Sequence, residues 1–250
     1  MFAMRRPLVL VSALLATGAA VAAIATGTAG TTASKVVAMK DARLKFEFNA
    51  TDGDGGVQAF IDADSWGSMS IFDPAGRRIF VATASGRMAK QGGTEFFLES
   101  AEPPFSEVPL EQLLRRWPEG TYRFQGVATN GDRYVGSTRL THRVPAGPTL
   151  VSPLEGDGPQ AVRKTTVRWK PVAPPDGSPI IGYQVLVVQT DTGLKALPKV
   201  TLDVMMPPTA TSLAVPPGFL LPGTEYEWEV LALEQSGDQT LSSSTFTTAG

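Results

Sequence analysis

The chain reads as all-β: two β-sandwiches in tandem, the first with a short helix, behind an N-terminal signal peptide. Three features of the sequence predict this class. Short runs alternate apolar and polar residues, as in Tyr226-Glu227-Trp228-Glu229-Val230, the pattern of a strand with one buried and one wet face. Turn formers are frequent, with 25 Gly and 20 Pro among 250 residues, and they punctuate those runs. An apolar-Pro pair followed by a Tyr that opens an alternating run occurs once in each half, as Trp117-Pro118 before Tyr122 and Leu221-Pro222 before Tyr226. A Tyr at such a corner can return its hydroxyl to the backbone and close the end of a sandwich.

Arg5 and Arg6 precede an uncharged Ala-, Leu- and Val-rich run from Leu8 to Ala25. A positive segment, an apolar segment and then small residues read as a secretory signal peptide over 1–30. Ala20-Val21-Ala22, Ala23-Ile24-Ala25 and Gly27-Thr28-Ala29 offer cleavage sites. The other reading is an uncleaved anchor, because such a run can just span a bilayer. Its Ala and Gly content and the lack of a second apolar span favour cleavage and a periplasmic or extracellular protein. Removal takes Arg5 and Arg6 and no acid, moving the formal charge from -2 to -4. No basic stripe remains, which argues against nucleic acid as a partner. The chain has no Cys and one His, which excludes disulfides, lipid attachment through Cys and most zinc chemistry.

The first sandwich is expected over 37–145, with strands near Leu44–Phe48, Ser68–Phe72, Ile79–Ala84 and Glu95–Glu99 and a tight turn at Asp73-Pro74-Ala75-Gly76. Leu110, Leu113, Leu114 and Trp117 have i, i+3, i+4, i+7 spacing, which predicts a short amphipathic helix over 109–117 with Pro109 in its first turn. Tyr122 opens the next strand, and Asn130-Gly131-Asp132 makes a hairpin turn into a strand from Tyr134 to Leu140. Pro145-Ala146-Gly147-Pro148 is a short, stiff connector. The second sandwich follows over 147–250. Trp169 is its core Trp; Tyr183, Val185 and Val187 share the buried face of one strand; Thr211–Pro216 and Tyr226–Leu233 are two more. Glu225, Glu227 and Glu229 take the wet face, Ser236-Gly237-Asp238 turns, and Ser242–Thr247 closes the sheet.

The spacing of Trp169, Tyr183 and Leu221-Pro222-Gly223-Thr224-Glu225-Tyr226 resembles the fibronectin type III family over about Gly147–Thr248. The resemblance implies an Ig-like sandwich of the kind used as spacer and binding platform. No Arg-Gly-Asp tripeptide is present, so the family's integrin-binding loop is not implied. Asn49–Gly56, Phe97–Pro104 and the Tyr122 corner together resemble the Ig-like domain of uncharacterised bacterial exported proteins with a fibronectin type III tail. That resemblance implies a location and no activity.

Four constellations carry candidate chemistry. Asp52 and Asp54 lie in the Gly-rich stretch Asn49–Gly56, with Asp62 and Asp64 downstream, an oxygen set of the kind calcium takes. An EF-hand register started at Ala50 puts Ile61 where the bidentate Glu belongs, so a solvated turn is expected and no metal. Trp66 shares strand parity with Ser68 and Ser70, opposite to Met69 and Ile71. With Asp62 and Asp64 it is a candidate platform for a sugar or a protein; the other reading folds it over the edge of the core. Glu95, Glu99, Glu102 and Glu107 include pairs suited to glycoside hydrolysis, which requires a set separation and a cleft, but Pro103-Pro104 favours a wet, extended loop. His142 is the single imidazole, and no Gly-x-Ser-x-Gly motif accompanies it.

These features point to a non-catalytic, exported protein of the bacterial cell envelope that binds or spaces through protein–protein contacts. The expected partner is an envelope protein or a polysaccharide, with no cofactor, and with the membrane only if the leader is uncleaved. Carbohydrate binding through Trp66, Asp62 and Asp64 is the alternative, and a glycosidase-type hydrolase with its acids in the first domain is the second.

Overall fold

The computed structural model describes residues 34–250, so the reading of residues 1–30 as a signal peptide lies outside the described residues. The first half runs β1 (Val36–Ala38), β2 (Asp41–Asn49), β3 (Asp54–Phe72), β4 (Arg78–Thr83), α1 (Gly86–Gln91), β5 (Gly93–Glu99), α2 (Leu110–Arg116), β6 (Gly120–Ala128) and β7 (Arg133–Leu140). β3 is its spine. The first part of β3 pairs with β2 and β5 and its last part with β4 and β6, so one long strand serves both faces of the core. The sequence reading has a strand only over 68–72. The earlier part escapes it because Asp62 and Asp64 look like loop residues, although Val57, Ala59, Ile61 and Ala63 alternate and are all buried.

The expected helix is present, with two changes. Pro109 stands at the N-cap rather than inside the first turn, and Leu110 is exposed, while Leu113, Leu114 and Trp117 pack on the first core. α1 was not expected. It buries no residue, so no apolar spacing marks it.

The second half is β8 (Leu150–Ser152), β9 (Thr166–Trp169), β10 (Ile180–Gln189), β11 (Val200–Met206), β12 (Ser212–Ala214), β13 (Glu225–Glu234) and β14 (Gln239–Thr247). A sheet ordered β14-β13-β10-β11 faces a three-stranded sheet ordered β12-β9-β8. Trp169, Tyr183, Val185, Val187, Tyr226, Trp228 and Val230 fill the space between them, the faces that alternation assigned. Both tyrosines close their corners. Tyr122 donates its hydroxyl to the carbonyl of Pro118 at 3.1 Å, whereas the hydroxyl oxygen of Tyr226 accepts the N–H of Leu221 at 2.8 Å. Tyr226→Phe strips that N–H of its acceptor and is expected to cost about 1–2 kcal/mol in urea unfolding of the full chain. A midpoint equal to the parent's would remove the corner's role.

The two halves share a sheet. β14 runs parallel to β2, with Gln239, Thr240 and Leu241 opposite Glu47, Phe48 and Asn49, and this pairing joins both halves in one 11-stranded sheet. The connector packs into the seam: the hydroxyl of Thr240 donates to the carbonyl of Pro145 at 2.6 Å. Gly147 is required there, since a Cβ would stand 2.3 Å from that of Ala50 and 2.7 Å from the Ser242 hydroxyl. A third apolar cluster of Leu186, Val188, Leu231 and Leu241 occupies the outer face of the second half's larger sheet, and Leu241 belongs to the β2 register.

Candidate binding site at the junction

Most of the acids that matter gather where β2 meets the second half. In β2, Phe46 and Phe48 point into the first core, which leaves Lys45 and Glu47 on the other face. The buried amide of Gln239 joins those two: it accepts from the Lys45 ammonium at 2.7 Å and donates to the Glu47 carboxylate. β3 brings Gln58 opposite both Lys45 and Glu99, and the Gln58 amide donates to Glu99 at 3.0 Å. Carboxylate oxygens of Glu47, Glu99 and Glu102 thereby come within 4.8 Å of one another, all three half-buried.

This crowding sets their charge. Burial, then Glu99, Glu47 and Asp54, pushes the Glu102 carboxyl up to about 8, so it keeps its proton at neutral pH. Burial also raises Glu47, against the pull of Lys45, and raises Glu99, against its bond from Gln58. Burial lowers the Lys45 ammonium to about 8, with Glu47 opposing. The wet loop expected around Glu99 and Glu102 is therefore corrected: strand pairing of β5 turns Glu99 toward β2 and carries Glu102 after it.

On the other side of Glu47 a groove of about 440 Å³ opens between the halves. Glu47 and Asp52 line it from the first half, and Glu155, Glu225, Glu227, Glu229 and Lys199 from the second. Glu229, assigned to a wet face by alternation, is only 5% exposed. The correction has a physical cause, because the first half covers that face of β13. Burial, then Glu227 and Glu47, pushes the Glu229 carboxyl up to about 8, with Lys199 opposing. Of the acids Glu47, Glu99 and Glu102, the groove reaches only Glu47, so it does not supply the cleft that hydrolysis by Glu99 and Glu102 requires.

The sequence's own candidates are not brought together. Trp66 is 8% exposed and sits in the first core, its ring edge-on to Phe96 at 6.1 Å. Register breaks on both sides, and Ser65 lies in the left-handed region at φ 45°. These bulges shift Trp66 off the parity of Ser68 and onto the face of Met69 and Ile71. Gly93 makes room, since a Cβ there would stand 2.6 Å from the indole. Asp64 instead pairs with Lys40 at 2.5 Å and Asp62 lies 3.9 Å from the same ammonium. The sugar platform of Trp66, Asp62 and Asp64 is thus withdrawn.

Asp52 is engaged in its own turn: its carboxylate accepts from the Asn49 amide at 2.9 Å, and Asn49 Oδ1 accepts the N–H groups of Thr51 and Asp52. Among the described residues, Glu47, Glu99 and Glu102 are the acids close enough to share one ion, and Asp52, Asp54, Asp62 and Asp64 form no such group. His142 meets the carbonyl of Trp117 at 2.9 Å and the ring of Phe46, and its partners are those of a packed residue after β7.

Residues 159–248 match the fibronectin type III domain family. The second half carries a fibronectin type III domain. Among solved structures the chain is similar to the fibronectin(III)-like modules of Clostridium thermocellum CbhA, with 11% identity and a TM-score of 0.34 over 83% of this chain and 94% of that one. It is also similar to the chicken CNTN1 FN1-FN3 domains, with 16% identity and a TM-score of 0.31 over 85% of this chain and 65% of that one. A 1.5-MDa bacterial ice-binding adhesin gives 14% identity and a TM-score of 0.29 over 86% of this chain and 65% of that one. No curated protein matches the chain. Among the described residues no helix is long and apolar enough to cross a membrane.

Proposed function

We propose that the chain is a non-catalytic, exported protein of the bacterial cell envelope, built from domains 37–145 and 147–250 and serving as a rigid spacer that presents a binding face to a protein. The fibronectin type III domain supports the non-catalytic part, and the Arg5-Arg6 leader supports export. The observation that carries the rigid part is the junction at Asp238. This carboxylate is 1% exposed and accepts the N–H of Phe46 and the hydroxyl of Thr141, each at 2.8 Å, so a turn of the second half is bonded to β2 and to the residue that follows β7. Bonds of this kind at buried sites are costly to lose.

Asp238→Ala leaves the Phe46 N–H buried without a partner, an expected loss of about 1–3 kcal/mol. The parent is expected to unfold in one transition and to fit a single shape in small-angle X-ray scattering, and the variant to unfold in two and to fit a spread of shapes. Equal spread in parent and variant would reject the rigid-spacer reading.

A further inference from the structure

The groove at the junction holds one feature that the fold itself does not account for. Glu229 is nine-tenths buried and lines the groove, yet the groups acting on its carboxylate are the charges of Glu227, Glu47, Lys199 and Asp52, with no hydrogen-bond donor among them. Buried carboxylates ordinarily have such partners. Six carboxylates line this space against the single ammonium of Lys199. Glu225, Glu227 and Glu229 alternate along β13, so they repeat every ~7 Å along its edge of the groove.

We propose that the groove binds a small linear polyamine, whose ammonium groups bond to the Glu229 carboxylate and to its neighbours along β13. The volume lies in the range of small-molecule sites, about 300–1,000 Å³. A bare metal ion requires converging oxygens, and the converging acids are Glu47, Glu99 and Glu102, of which only Glu47 faces the groove. An ammonium chain instead meets a row of separated carboxylates. The charged groups facing Glu229 are Glu47 and Asp52 from the first half and Glu227 and Lys199 from the second. Because burial holds a proton on Glu229, binding of a cation releases it, and affinity rises with pH from about 5 to 8.

The inference rests on the rigid junction proposed above, and scattering on the same samples separates the two: a rigid protein that binds nothing rejects the ligand site alone. The test is calorimetric titration of the full chain with spermidine at pH 8 and low salt. One site is expected, weakened at least tenfold by Glu229→Gln and tightened severalfold by Lys199→Gln, with proton release in the parent and less in Glu229→Gln. No heat at millimolar spermidine, or equal affinity in all three proteins, would overturn the proposal. So would calcium binding at the same site with greater affinity than spermidine, which would make it a metal site. A short peptide of alternating lysines that bound more tightly than spermidine would likewise overturn it in favour of a protein ligand.

Discussion

Trp169→Ala is expected to lower the unfolding free energy by about 3–5 kcal/mol. The indole is buried on β9 and packs on Tyr183 of the facing sheet, their rings 5.6 Å apart. Truncation leaves a cavity between two sheets that hydrogen bonding holds in place, so little of it can close. The indole N–H is buried without a partner, and deleting it relieves a desolvation cost, which sets the expectation at the lower end of the range. In urea the midpoint should fall by about 1 M or more with the slope unchanged. An unmoved midpoint would mean that Trp169 is not part of the second core.

Glu229→Gln should stabilise the protein at pH 9 and leave it nearly unchanged at pH 4. The folded state raises this carboxyl from 4.5 to about 8, so it binds the proton more tightly than the unfolded state does. The stability that this contributes is fully present below about 4.5 and is lost as pH rises through about 8. At 1.36 kcal/mol per pH unit the full difference is on the order of 4–5 kcal/mol, an upper figure because Glu47 and Glu227 share the titration. Glutamine keeps the shape without the charge. Glu102 acts in the same direction with a smaller effect, because solvent reaches it. Melting curves of parent and variant from pH 4 to 9 check this, and parallel curves would show that Glu229 is not the group responsible.

The fibronectin type III half was legible residue by residue because its strands have one core face each. Tyr183, Val185 and Val187, and again Tyr226, Trp228 and Val230, announce that face by alternation. What the sequence concealed lies where alternation stops carrying information. Val185-Leu186-Val187-Val188 and Val230-Leu231-Ala232-Leu233 are apolar on both parities, the mark of a strand covered on both sides, and they were the available signal that something packs on the outer face. Trp66 was misplaced because a bulge changes parity without changing composition. The acids of the seam were unreadable as a group, since Glu47, Glu99 and Glu229 stand on distant strands and Glu102 follows β5, and only the pairing of β2, β3, β5, β13 and β14 brings them near one another. Glu229 in particular looks like any solvent-facing Glu until the first half covers it.

The bonds from Asp238 and Gln239 reach back 192 and 194 residues along the chain. Contacts of such long range close late, because the loop entropy must be met before they form. While the chain emerges, β2 is synthesised long before β14, so the edge of β2 that β14 will occupy has no partner in the interval. An open strand edge is a template for other chains. The growing chain therefore carries an aggregation hazard on β2, and the arrival of β14 removes it.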